Sequence, residues 1–212
     1  MLGSMTFSQT ERERLAALLK ELGPDAPTLC EGWTTKDMAV HLWVRENRPD
    51  ATAGMFIPAL EGHLNKVSDK VATKGYEELV REWGSGPGKF SPIRLIEAQA
   101  NLAENFIHHE DVRRANGRTD ERDFSAAIEK KLHGVLKMMA PRMLGKSGCP
   151  VVLFPRGLSR VVCADKHGVA EDGQDVVRVH GSVGELLLWV YGRDEVHVTI
   201  EGPADKAVRS GV

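Results

Sequence analysis

The sequence predicts an α+β protein in which a helix bundle precedes a small strand-and-helix module. Apolar residues recur at helical spacing from Ser8 to about Gly145, and Gly and Pro supply the breaks between segments. After Gly148 the texture changes to short runs rich in β-branched residues. The expected modules are residues 6–147 and residues 148–208, followed by a polar tail.

The first helix is expected over about Gln9–Leu22, with Leu15, Leu18, Leu19 and Leu22 on one side and Gly23-Pro24 ending it. A second starts at Thr34, whose N-cap is completed by Asp37 three residues on, an acidic variant of the capping box. Its inward stripe carries Met38, His41, Leu42 and Arg45. One or two further helices lie between Pro49 and Trp83, broken near Pro58 and Gly75. A long helix then starts at Ser91, with Pro92 in the first-turn position that proline favours, and ends at Asn116-Gly117. Another covers about Asp123–Leu144, through Ile128, Leu132, Val135, Leu136 and Met139. Beyond it, Val151–Phe154, Ser159–Ala164, Asp175–His180 and Val196–Glu201 read as strands. The short helix Val183–Tyr191 among them is opened by a Ser182/Glu185 capping box and closed by Gly192.

Composition narrows the function classes. The 212 residues carry Lys+Arg 28 against Asp+Glu 30, a net charge of -2, and 42% are hydrophobic, so the chain can bury a core and is not disordered. No block of like charges offers a phosphate-neutralising surface, which argues against nucleic acid as the main partner. No apolar stretch of about 18 residues suggests a membrane span. Met1–Ser4 is too short and polar for a signal peptide and reads as a vector-derived extension ahead of Met5, so a cytoplasmic protein is expected. Cys30, Cys149 and Cys163 are odd in number and far apart, as expected of reduced thiols rather than a disulfide framework or a cysteine zinc site. There are eight histidines, so a metal would be held by nitrogen and oxygen.

The long helix contains Glu104 and His108 one turn apart on one face. With Ala100 as angular origin, the apolar Ile93, Ile96, Ala103 and Ile107 fall between roughly -60° and +20°, Glu104 at about 40°, His108 at about 80° and His109 near 180°. The Glu104/His108 pair therefore borders the apolar face, and His109 is expected to point to water. A carboxylate and an imidazole at this spacing can both ligate one divalent ion, with a third ligand drawn from a facing helix. His41, on the inward stripe of the second helix, is the best candidate. Two His and one carboxylate leave positions for water or substrate. Spacing alone also allows Glu104 to belong to a solvated stripe with Glu97, Asn101 and Asp111, and His41 to be a satisfied core histidine.

The segment Trp33-Thr-Thr-Lys-Asp37-Met-Ala-Val-His41-Leu42, followed by Glu104-Asn-Phe-Ile-His108-His-Glu-Asp111-Val-Arg113, resembles the N-terminal domain of the mycothiol-dependent maleylpyruvate isomerase family, within the DinB-like four-helix bundles. Gly181–Arg193, a leucine-rich helix ending in Gly-Arg, is similar to that family's C-terminal module. The resemblance runs from about Ser8 to Gly202 and is strongest to an actinobacterial subgroup described only as metal-binding. It implies a DinB-like four-helix bundle with His41, Glu104 and His108 as zinc ligands, and mycothiol as a thiol cofactor that the metal activates. It also implies a small electrophilic substrate and Arg193 as a residue binding acidic substrate or its developing charge; a cation closing a helix C-terminus is the other reading of Arg193. Nickel or iron also suits such a donor set. The rival expectation, from a different class, is a non-catalytic metal-binding or partner-binding helical protein. A homodimer is compatible with either.

Asp37 and Asp111 are each placed to hold a neighbouring histidine, His41 and His108 respectively, although capping already accounts for Asp37. Gly84–Lys89 is too short for a phosphate loop and lacks the following Ser/Thr, so it reads as a connection. Cys30 has no cationic neighbour in sequence and reads as an idle thiol. Trp33 and Trp189 read as core anchors, and Arg113 and Arg114 as cations at a helix C-terminus.

Overall fold

The computed structural model describes residues 6–55, 57–86, 98–166, 168, 173 and 175–209. Its contacts divide the chain into two compact units, Met1–Arg118 and Thr119–Val212.

The first unit is a helix bundle. Helix α1 spans Phe7–Leu22 and starts two residues ahead of the expected Gln9, because Thr6 is the N-cap and shares a full capping box with Gln9. Gly23, at φ 77°, ends it. Helix α2 spans Thr35–Asn47, with Thr34 and Asp37 forming the expected capping box. Helices α3 (Pro49–Thr52), α4 (Glu61–Ala72) and α5 (Tyr76–Gly84) follow, and α6 covers Ala98–Ala115. The expected start at Ser91-Pro92 lies outside the described residues. The expected stop is seen: Gly117 takes φ 79°, and Arg118 N donates to Arg113 O at 3.0 Å.

Helix α1 packs on α5 and α6, and α2 packs on α4 and α5. Leu15, Leu19, Met38, Leu42, Leu79, Trp83 and Val112 close a shared core in which each is at most 1% exposed. That core also contains an ion pair. Arg12 Nη1 donates to Glu46 Oε2 at 2.8 Å and to Trp83 O at 2.8 Å, Arg12 Nη2 bonds Glu46 Oε1, and Glu46 is 3% exposed. Removing one partner strands a buried charge, so Glu46→Ala should lower the unfolding free energy by about 3–5 kcal/mol in urea titrations. A loss below about 1 kcal/mol would mean that Arg12 finds another acceptor or water.

The second unit begins with α7, Ala126–Met143, which follows Ser125 at the N-cap position without a side-chain cap bond. Strands β1 (Val151–Pro155), β2 (Val161–Cys163), β3 (Val177–Gly181) and β4 (Thr199–Glu201) form one sheet of order β2-β1-β3-β4, and α8 spans Val183–Val190. The central pair β1/β3 is parallel and both outer pairs are antiparallel. All eight residues of α8 are buried, as expected of a helix apolar on every side.

Helix α7 packs on α8 and β2, so the division falls at Arg118/Thr119 rather than at the expected 147/148. Periodicity groups α7 with the other helices, but its Leu132, Val135 and Leu136 are needed to cover the small module. The Ser182/Glu185 box is also only half formed. Ser182 Oγ accepts from Glu185 N, while Glu185, 2% exposed, accepts the His197 N–H at 2.7 Å. None of the described helices is long and apolar enough to cross a membrane.

Candidate metal centre

Helices α2 and α6 bring the three expected ligands together. His41 Nε2 lies 3.0 Å from Glu104 Oε1, and His108 Nε2 lies 3.1 Å from the same oxygen. The two imidazoles meet edge to face, with centroids 5.1 Å apart. The capping box at Thr34 sets the start of α2, and Met38 and Leu42, buried in the core, turn His41 and Arg45 toward α6. One nitrogen from each histidine and one Glu104 oxygen all lie within 4.8 Å of one another. A tetrahedral ion with bonds near 2.0–2.1 Å needs donors roughly 3.3–3.5 Å apart, so small side-chain movements suffice for these residues to hold one.

The charges are matched. Burial by itself would raise the Glu104 carboxyl, but the His108 charge, hydrogen bonds from His108 and His41, and Arg45 hold it well below the usual range. Burial would likewise lower His108, yet the Glu104 carboxylate and hydrogen bonds with Asp111, Cys30 and Glu104 push it well above an ordinary histidine. His41 is lowered by burial, with His108 and Arg45 adding to the effect against the Glu104 bond. Without a metal these directions favour a charged Glu104 and a charged His108 beside a neutral His41.

Several neighbours were not legible as site residues. Arg45 Nε lies 3.3 Å from Glu104 Oε1, and its Nη1 donates to Asn101 Oδ1 at 3.1 Å. Trp33, expected as a core anchor, packs on the core and also places its ring 5.1 Å from that of His41. Asp111 takes the orienting place allowed for it, with Oδ2 3.0 Å from His108 Nδ1 and a fully buried side chain. Asp37 bonds Thr34 and acts in the cap. Sequence alone makes Cys30 an idle thiol, but its Sγ lies 3.4 Å from Asp111 Oδ2, and Cys30, His108 and Asp111 form a second group of possible ligand atoms. No sequence spacing links Cys30 to residues about 80 positions away; only the fold does.

His109 was expected in water and is instead 6% exposed, with Nδ1 2.9 Å from Glu11 Oε2 on α1. Helical spacing marks the apolar face of α6 but not what covers the opposite one, and here Glu11 of α1 covers it. Arg113 and Arg114 are likewise buried and bond Glu110. In the second unit Arg193 closes α8: its N donates to Leu188 O at 3.1 Å and its Nη1 to Tyr191 O at 2.6 Å.

Two imidazoles and a carboxylate converging from facing helices are a donor set that could hold a divalent ion inside a helix bundle. The crystal structure of a mycothiol-dependent maleylpyruvate isomerase has the same fold, at TM-score 0.59 and 16% identity, over 97% of this chain and 92% of that one. A histidine-to-alanine variant of that enzyme matches at TM-score 0.55 and 16% identity, with the same coverage. No family model and no curated protein matches the sequence.

Proposed function

We propose that the chain binds a divalent ion on His41, Glu104 and His108 and uses it to activate a low-molecular-weight thiol for isomerisation or transfer on a small electrophile. The observation that carries the reading is the convergence of His41 Nε2 and His108 Nε2 on Glu104 Oε1 at 3.0 and 3.1 Å. The shared fold with a mycothiol-dependent isomerase points to the thiol. Charge supports it as well. Glu104, Asp111 and Arg45 together leave one negative charge beside the donors, so a bound dication would be neutralised by one thiolate. A bound divalent metal lowers the pKa of a coordinated thiol and makes it a nucleophile at neutral pH.

In this reading zinc is the ion, nickel and iron being the alternatives, and mycothiol is the thiol. Trp33 walls the His41 side, Asp111 holds His108, and Arg45 neutralises Glu104. Arg193 of the second unit, whose Nη1 bonds Tyr191 O, is carried as a separate proposal for binding an acidic group. The same reading has the protein work in the cytoplasm, without nucleic acid or membrane, and a homodimer is compatible with it.

Elemental analysis of the purified chain beside His41→Ala tests the metal, with about one equivalent expected in the wild type and under a tenth of that in the variant. Unchanged content in the variant would remove the site. Calorimetry of the loaded protein with mycothiol and with a control thiol tests the cofactor. Equal, negligible heats would favour the non-catalytic metal-binding protein.

A further inference from the structure

We propose that Cys30 is a positioning residue of the metal centre, acting with Asp111 to fix the orientation of His108 and the proton on its Nδ1. The proposal deepens the metal-site reading of His41, Glu104 and His108 and rests on it. Asp111 Oδ2 meets two groups at once, His108 Nδ1 at 3.0 Å and Cys30 Sγ at 3.4 Å, in a side chain that is 0% exposed. An imidazole that gives its Nδ1–H to a carboxylate presents the Nε2 lone pair on the opposite side, and here that side faces Glu104 and His41. The thiol is a second donor to the oxygen that does the holding.

The backbone makes this arrangement specific. Leu29 N donates to Asp111 O at 3.2 Å, so the loop before α2 is fastened to α6 at the residue that holds His108. Within that loop Cys30 N donates to Thr28 Oγ1 at 3.2 Å and Trp33 N donates to Cys30 O at 3.0 Å. The loop then ends on Trp33, whose ring lies against His41. One short segment thus reaches both histidines, His108 through Cys30 and Asp111 and His41 through Trp33. A thiol is a weak donor, so its loss should cost less than loss of the carboxylate, and a hydroxyl should replace it.

The test uses the full chain stripped of metal by chelation and reloaded with cobalt(II), comparing wild type, Cys30→Ala, Cys30→Ser, Asp111→Asn and His41→Ala. Cobalt affinity is read by chelator competition, and the hydrogen bonding of the His108 Nδ1–H by heteronuclear NMR on the metal-free protein. Asp111→Asn should weaken binding about 10–100-fold, Cys30→Ala on the order of tenfold, and Cys30→Ser by no more than about threefold. In metal-free Cys30→Ala the His108 Nδ1–H signal should shift or broaden, and in Cys30→Ser it should be restored. The proposal is overturned if Cys30→Ala matches wild type in both affinity and His108 signals. It is overturned equally by a sulfur-to-cobalt charge-transfer band that Cys30→Ala abolishes, because Cys30 would then be a ligand. Full cobalt binding by His41→Ala would instead overturn the metal-site reading, and the NMR comparison on metal-free protein would still decide the role of Cys30.

Discussion

Glu104→Ala is expected to abolish metal retention and to change both neighbouring histidines together. Its Oε1 is the meeting point of His41 Nε2, His108 Nε2 and Arg45 Nε, at 3.0, 3.1 and 3.3 Å. Alanine leaves two imidazoles and a guanidinium around an uncompensated gap, and a dication is then both short of a ligand and repelled by Arg45. Elemental analysis should find less than about a tenth of the wild-type content; a full equivalent would falsify the assignment of Glu104 as a ligand. The metal-free variant should also lose stability, by about 1–3 kcal/mol, in a pH-dependent way. The lowered Glu104 pKa stabilises the fold above its unfolded value of 4.5 and fades as pH falls through the folded value. The raised His108 pKa stabilises fully below its unfolded value of 6.5 and fades as pH rises through the folded value. The deficit in urea titrations should therefore be largest between pH 4.5 and 6.5, shrinking on the alkaline side as wild-type His108 loses its proton.

What the sequence showed of this centre follows from how each residue is placed. Glu104 and His108 are neighbours by helical spacing, and His41 lies on the apolar stripe of a helix whose start is written in Thr34 and Asp37. These are local facts, and the fold brought them together as expected. Cys30 and Arg45 acquire their roles through contacts between distant segments, which spacing cannot supply, while Trp33 reaches His41 from the loop just ahead of its helix. His109 shows the limit of the angular argument. A periodicity can find the apolar face of a helix but not whether the opposite face is covered, and Glu11 on α1 covers it here. The same limit applies to α7, whose apolar stripe is evident but whose partners, α8 and β2, come later in the chain.

Metal uptake should be coupled to the release of close to one proton at pH 7, and that proton comes from His108. A ligating imidazole must offer a neutral nitrogen, but Glu104 and Asp111 hold His108 in its charged form well above pH 6.5. Glu104 is already ionised at neutral pH and His41, lowered by burial, is already neutral, so neither contributes. The apparent affinity should then rise about tenfold per pH unit from pH 6.5 up to the His108 value and level off above it. Calorimetry in buffers of different ionisation enthalpy measures the proton count. In Asp111→Asn one of the interactions raising His108 is lost, so the plateau should begin at lower pH while its level falls with the loosened ring. A count near zero would mean that His108 is neutral before the metal arrives or keeps its proton afterwards, and a count near two would mean that His41 is also charged. Either result would contradict the division of roles in which the exposed-side carboxylate, Glu104, binds the ion while the buried one, Asp111, holds the ring that must give up its proton.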